Sequence, residues 1–518
     1  MSRVNNKTHK INYTIGGQVA EGFEEVRKAF EYNFQSGVEV SSQLCIYYQG
    51  VCVVDLYGTV TDDVTPGGLI NDGNGNHLMA TQKGYGAHSI QQVFSSTKNL
   101  SAIVVALLVD KGLLKYNEKV STYWPEFGQH GKENITVADV LRHDSGLPQF
   151  SRQATQEDME DQSIGGKLDQ LIASSTPNWS TPHTSTPENP ELKTLRRAYH
   201  GQARGLILQM IVQRIDRKHR TIGQILRDEI VIPLNLTNEC FLGMPLDIQR
   251  SGKIHIADML SMESGDAREA FDEVRDDEKQ KELQNLSKEQ RLSVAKAIQE
   301  ALAERGKNNN DPVWSRVDPD EETHSDLWSK HEKNGFMAIV RMGCSFSGIR
   351  NGEWSRLHEK PSENGHTNAR SLGKIAAAMA GRGAFDGVQL MSTDAFAESH
   401  SNITHKFDDI LLADSRFTQG GFAEFRLEQT AFNTKEGEGN IFGGANTFDL
   451  EGSFFGWGGA GGSVFIWSPE YDIGFAYTMT GMARYIVGGP RTKRIFSALC
   501  ECINMIDIYE SSMDKVDL

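Results

Sequence analysis

Phe94-Ser95-Ser96-Thr97-Lys98 opens the run SSTKNLSAIVVALLVDKGLL (95–114), and the reading of this run decides the fold. Leu100, Ile103, Val104, Leu107 and Leu108 recur on one side of a helix, and Gly112 stands near its end. Ser95 and Lys98 lie three residues apart, which puts them on the same face one turn from each other. A serine hydroxyl is a weak nucleophile and needs a neighbouring base. A buried lysine can lose its proton and serve as that base. The free N–H groups of a helix N-terminus can in addition support an oxyanion. Ser-x-x-Lys occurs four times, at Ser95/Lys98, Ser293/Lys296, Ser371/Lys374 and Ser512/Lys515, so context must separate them. Ser293 lies in a charged stretch, Ser512 in the polar tail, and Ser371 at the start of an expected surface helix. Ser95 alone opens a long apolar helix after a loop. Read without its neighbours, Ser95 is equally a helix N-cap.

Outward from this helix, the strand-like runs Leu44–Tyr48 and Val51–Tyr57 flank Gln49-Gly50, which predicts a tight hairpin. Residues 22–36 have Phe23, Val26, Phe30 and Phe34 at helical spacing. Residues 135–141 read as a helix start, 151–195 as polar loops, and Tyr199–Ile215 as helix. Residues 416–462 are dense in glycine; strands are expected at Ser463–Trp467 and Ile473–Thr480, and a last helix at 488–508. Strands therefore cluster at both ends of the chain with helices between them. The expected fold class is α+β, an antiparallel sheet built from both chain ends and flanked by helices, with an inserted, mainly helical domain. Its boundaries are read as a flexible N-terminus (1–20), a sheet domain (21–115 and 365–508), a helical domain (116–364) and a tail (509–518). Within the helical domain, acids and bases alternate closely at about 263–335. This charged insertion reads as a solvated face, or as a surface for a protein partner or a second copy of the chain.

Composition narrows the function. Of 518 residues, 38% are hydrophobic and 24% charged, enough to build a core. Lys and Arg number 53 against 69 Asp and Glu, a net charge of −16, which disfavours nucleic acid as a partner. No stretch approaches the ~18 apolar residues of a membrane span. The six cysteines form no CxxC and no disulfide framework, consistent with free thiols and a cytoplasmic location. The basic N-terminus, with no acid before Glu21, leaves a mitochondrial alternative. HExxH, the P-loop and G-x-S-x-G are absent, and His143, His200 and His366 show no metal-ligand spacing. Neither a metal nor a cofactor is expected.

With these motifs in place, the chain resembles the serine β-lactamase-related family: class C β-lactamases, low-molecular-weight penicillin-binding proteins and family VIII carboxylesterases. Phe94 to Lys98 with Asp110-Lys111-Gly112, the strand Val53–Gly58, Trp124–Phe127 and Ile135–Pro148 follow the family's order. So do Tyr199-His200 with Gly205, Asn364–Leu372 and Phe455–Ser463. The resemblance covers about residues 20–505, apart from the insertion. It implies the β-lactamase/transpeptidase-like fold and a small ester or amide substrate. It makes Ser95 the nucleophile that forms an acyl-enzyme and Lys98 its base. Tyr199 becomes a second acid/base with a phenol pKa lowered by Lys98, although by itself it also reads as a core tyrosine. The N–H groups of Ser95 and Ala460 become the oxyanion hole, and Trp457, Gly458, Gly459 and His200 line the substrate. Two departures stand out. The usual Tyr-x-Asn reads Tyr199-His200-Gly201, and the Lys-Thr-Gly or His-x-Gly triad reads Trp457-Gly458-Gly459. The implied activity is a carboxylesterase-like serine hydrolase; the alternatives are a β-lactamase or D-amino-acid peptidase, or a catalytically idle scaffold of the same fold.

Overall fold

The computed structural model describes residues 12–61, 84–177, 197–261, 351–408, 410, 411, 413–427, 452–482 and 488–513. Numbered along the chain, the elements that matter here begin with β1 (Tyr13–Val19), α1 (Glu24–Gln35), β2 (Ser41–Tyr48), β3 (Val51–Val60), α2 (Thr97–Asp110) and α3 (Ala203–Ile215). They continue with α4 (Ala369–Ala380), β4 (Thr404–Asp408), β5 (Ala413–Phe417), β6 (Ala423–Leu427), β7 (Gly452–Gly458), β8 (Val464–Ser468), β9 (Ile473–Met479) and α5 (Pro490–Met513).

The Gln49-Gly50 hairpin forms as the sequence implies: Tyr48 faces Val51, and φ is 49° and 73° at the two turn residues. Positive φ at both is the signature of a type I′ turn, which matches strand twist. The hairpin seeds a nine-stranded antiparallel sheet in the order β1-β3-β2-β9-β8-β7-β6-β5-β4. Strands from the two chain ends meet where β2 pairs with β9, Tyr48 opposite Ile473 and Ser42 opposite Met479. The sheet is buried on both faces, so its central strands read as continuous apolar runs. Along β8, Val464 and Ile466 join the core under α1 and α5, whereas Phe465 and Trp467 join the core that contains α2, α3 and α4. This is the period of two expected of a strand.

Several expectations change. Residues 13–19, counted in the flexible N-terminus, form an edge strand on β3, and α5 runs to Met513, into the expected tail. Helices Gln156–Glu160 and Lys167–Ser174 occupy part of the supposed loop 151–195. The first starts on a Thr155/Asp158 capping box that offsets the polar composition. Strands β5, β6 and β7 run through the glycine-dense region. The helix α4 that begins near Ser371 is no surface helix: Ser371, Leu372, Ile375 and Met379 are buried against the sheet.

Helix α2 is buried not on one side but all round, with every residue from Thr97 to Leu108 covered. It is the central post of the helical core, and each of its Leu, Ile and Val side chains contributes roughly 1.5–3 kcal/mol by burial. The charged insertion at 263–335 lies outside the described residues, as do Ser293, Lys296 and Lys515. Asn351 donates to the Met259 carbonyl at 3.1 Å and accepts its N–H at 2.9 Å. The chain thus leaves and re-enters the described fold at one place.

Candidate active site

Three segments converge at the N-terminus of α2. The first is the 3-10 turn Phe94–Ser96. Phe94 has φ 46°, a left-handed conformation that a bulky residue adopts only under constraint. The constraint comes from the second segment, the glycine loop after β7. Ser463 Oγ donates to the Val93 carbonyl at 2.8 Å and lies 3.1 Å from Ser96 Oγ. Gly459 is required because a Cβ there would stand 2.3 Å from the Val93 oxygen and 2.4 Å from Ser463 Oγ. Within the loop the Gly462 N–H bonds the Gly459 carbonyl, which sets Ala460 at the corner of a tight turn. Arg491 holds the loop from below, donating to the carbonyls of Gly461 and Gly481 while pairing with Glu39 at 3.0 Å.

The third segment, Arg197–Gln202, precedes α3, so Tyr199 lies before the helix rather than at its start. Arg197 pairs with Asp144 at 3.0 Å and donates to the carbonyls of Thr404 and Ser415. The Tyr199 N–H goes to Asp408 Oδ1 at 3.0 Å, and the neighbouring N–H groups of Ala198 and His200 go to the His143 carbonyl and Nδ1. Tyr199 is therefore fixed from both sides by its own backbone. Sequence reasoning did not find Asp408. Its signal was a carboxylate two residues past the apolar Lys406 stem in a half-polar strand, which by itself does not separate it from a surface residue.

The side chains then meet in one line. Lys98 Nζ lies 3.3 Å from half-buried Ser95 Oγ, 2.7 Å from the Gly201 carbonyl and 3.1 Å from the Ser362 carbonyl. Lys98 is buried, and burial first, then the Arg204 charge, hold its amine well below the ordinary lysine range. A neutral amine has two N–H bonds and one lone pair. Two carbonyls and one hydroxyl around Nζ match that count, with Ser95 Oγ as the third neighbour. Tyr199 Oη is hydrogen-bonded to Ser95 and accepts the Trp457 Nε1–H at 3.2 Å. An indole N–H can only donate, so the phenol oxygen is the acceptor in that bond. The result is a connected chain of hydrogen bonds: Trp457, Tyr199, Ser95, Lys98.

The Tyr199 phenol is not lowered. Burial pushes it up to about 12, against the hydrogen bonds from Ser95 and Trp457 and the Arg204 charge. The charges that act on it are Arg204, which lowers it, and Asp408, which raises it. His200 is also displaced from its expected role. It is wholly buried, its Nε2 is 2.7 Å from Ser145 Oγ and its Nδ1 is 2.5 Å from the Ala198 carbonyl. Burial takes its ring down to about 4, so it is a neutral brace and not a lining residue. Trp457 is only 6% exposed, packed on Phe417, Phe425 and Tyr199. Its indole closes the site from behind more than it lines it. Gly458 ends β7, and Gly459 and Ala460 carry the loop across the mouth of the Ser95 turn. Among the described residues no cluster of His, Cys, Asp or Glu could hold a metal, and no helix is long and apolar enough to cross a membrane.

The family model for β-lactamase matches residues 30–498. The chain belongs to the β-lactamase family. Over 232 residues it is 32% identical to the esterase/beta-lactamase LipL of Mycobacterium tuberculosis (strain ATCC 25618 / H37Rv). That match takes in 45% of this chain and 46% of LipL, so it spans under half of the relative's length. Among solved structures, a family VIII carboxylesterase gives a TM-score of 0.64 at 22% identity, covering 94% of this chain and 100% of the other. A penicillin-binding protein homologue from Caulobacter crescentus gives 0.61 at 22%, with 94% and 100% covered. These likenesses establish the β-lactamase/transpeptidase-like fold.

Proposed function

We propose that the protein is a carboxylesterase-like serine hydrolase that works through an acyl-enzyme on Ser95. The observation that carries this reading is the setting of Lys98, a buried amine within hydrogen-bonding reach of Ser95 Oγ and of the Gly201 and Ser362 carbonyls. Lys98 takes the hydroxyl proton as Oγ attacks the ester carbonyl carbon. The carbonyl oxygen becomes an oxyanion held by the N–H groups of Ser95 and Ala460, where one donor is worth ~10²–10³-fold in rate. Collapse of the intermediate expels the alkoxide, which takes a proton from Tyr199, protonated because its phenol lies at about 12. The proton on Lys98 then passes directly to the neighbouring Tyr199 phenolate, which restores the neutral amine and the neutral phenol. Water attacks the acyl-enzyme by the same steps in reverse, and a positioned acid/base contributes ~10²–10⁴-fold.

An ester preference follows from the two departures. Trp457 brings neither a cation nor a free donor to the place of the Lys-Thr-Gly triad, because its N–H is spent on Tyr199. Gly201 offers no side chain for an amide. The name of LipL, which joins esterase and β-lactamase, favours β-lactam hydrolysis as the second reading. The test is kcat/KM for p-nitrophenyl acetate and butyrate beside a chromogenic cephalosporin, with fluorophosphonate labelling of the same preparation. Esters should lead by ~100-fold, as for the loss of one charge-assisted bond. Equal rates would move the β-lactamase reading to first place, and no labelling with no turnover would favour an idle scaffold.

A further inference from the structure

Among the described residues three arginine side chains are almost completely buried: Arg197, Arg204 and Arg491. Arg197 has Asp144 at 3.0 Å and Arg491 has Glu39 at 3.0 Å. Arg204 has no carboxylate partner among the described residues. Its Nη2 donates to the Gly421 carbonyl at 3.2 Å, and its Nε has no acceptor. A buried cation without a counter-charge is costly and is retained only where something else compensates it.

Its place in the fold says what that is. Arg204 stands three residues after Gly201 and one before Gly205. The Gly201 carbonyl holds Lys98, and the Gly205 N–H bonds Ser362 Oγ at 2.8 Å, the residue whose carbonyl is the second holder of Lys98. Arg204 is thus built into the short segment that grips the amine. Its charge acts on Lys98, Tyr199, His143 and His200. The two histidines are held neutral, chiefly by burial. The acids that oppose it are Asp408, acting on Tyr199, and Glu363, acting on Lys98, while Arg197 and Asp144 act on the histidines.

We propose that Arg204 is an electrostatic positioning residue for this reaction, an unpaired buried cation that acts from behind on the Ser95–Lys98–Tyr199 chain. The proposal rests on the serine-hydrolase reading above. At rest, Arg204 disfavours a second cation in the same dry site and so favours the free amine of Lys98. A base is most effective when its pKa is near the working pH, and an ordinary lysine would be protonated there. When negative charge develops on Tyr199 or on the oxyanion, Arg204 gains the counter-charge it lacks at rest.

The test is the pH dependence of kcat/KM for p-nitrophenyl butyrate in the wild type, Arg204→Gln, Arg204→Met and Arg204→Lys. Removing the charge raises the Lys98 pKa, so the acidic limb should move to higher pH by about one unit, as for the removal of a neighbouring like charge. Activity at a pH below the wild-type limb should fall by ~10-fold and recover above the new limb, and Arg204→Lys should restore the limb toward the wild-type position. Should Arg204→Met fail to fold, Arg204→Gln keeps a donor for Gly421 and carries the same test. An unmoved limb with a uniform loss at every pH would overturn the proposal and leave Arg204 as packing alone. Absence of any acyl adduct on wild-type Ser95 would instead overturn the hydrolase reading itself.

Discussion

Trp457→Phe probes the hydrogen-bond chain at its far end. The substitution keeps an aromatic ring against Phe417 and Phe425 and deletes the Nε1–H that Tyr199 Oη accepts at 3.2 Å. In the resting enzyme that bond joins two neutral groups and contributes ~0.5–1.5 kcal/mol. In the step where Tyr199 gives up its proton, the same N–H faces a developing phenolate, and the bond strengthens to ~1.5–3 kcal/mol. The difference applies to the barrier and not to the binding of substrate, so kcat should fall ~10-fold while KM stays within about twofold. Packing loss should cost roughly 1–2 kcal/mol, a few degrees in Tm. The assay is steady-state and burst kinetics with p-nitrophenyl butyrate at a pH where the fold is intact. Tyr199→Phe should cost ~10²-fold or more. Trp457→Phe added to it should cost no further catalysis, because the indole acts through the phenol. If Trp457→Phe keeps full kcat, or if its loss multiplies that of Tyr199→Phe, the indole is packing and the hydrogen-bond chain is wrong at that link.

Other substitutions test separate parts of the site. A Cβ at Gly201 would meet nothing within 4 Å, so Gly201→Asn should fold normally; ester turnover should stay within about threefold while cephalosporin turnover rises ~10-fold, one added hydrogen bond, and no gain would remove Gly201 as a specificity determinant. Gly459→Ala forces a Cβ onto the Val93 oxygen and should lower kcat ~10²–10³-fold by displacing the Ala460 donor, with retained kcat showing that the loop does not form an oxyanion hole. Replacing about 265–325 with a short Gly/Ser bridge should leave soluble, active enzyme, since Asn351 already ties the two ends at Met259; loss of soluble protein would show that the segment packs on the core, and loss of assembly alone would assign it to a partner or a second copy.

Much of this was legible in the residues. Gln49-Gly50 between apolar runs encodes its hairpin locally, and Ser95 to Lys98 before an apolar helix encodes the turn that brings Ser95 and Lys98 together. Strands β4, β5 and β6 were hidden because ThrHisLysPheAsp-like and AlaAspSerArgPhe-like runs mix charges into both faces. Their burial comes from partners distant in sequence, such as Asp144 with Lys406 and Arg197 with the Thr404 and Ser415 carbonyls. Helix α2 looked one-sided because Ser101 and Asn99 are polar, yet Ser101 bonds the Pro361 carbonyl and Asn99 the Phe465 carbonyl at 2.9 Å. His200, next to Tyr199, could not be assigned to cleft or core without knowing that Ser145 would meet its ring. The same holds for Arg204, whose missing partner is visible only once the chain is folded.

The central claim is that Ser95 becomes acylated with Lys98 as its base. Intact-mass spectrometry after rapid quench with p-nitrophenyl butyrate, followed by peptide mapping, reads this directly. The wild type and Ser371→Ala should each gain one butyryl group on the peptide that contains Ser95. Ser95→Ala should gain none, and Lys98→Ala should acylate ~10²-fold more slowly. A butyryl adduct that persists in Ser95→Ala, or that maps to another residue in the wild type, would contradict the account.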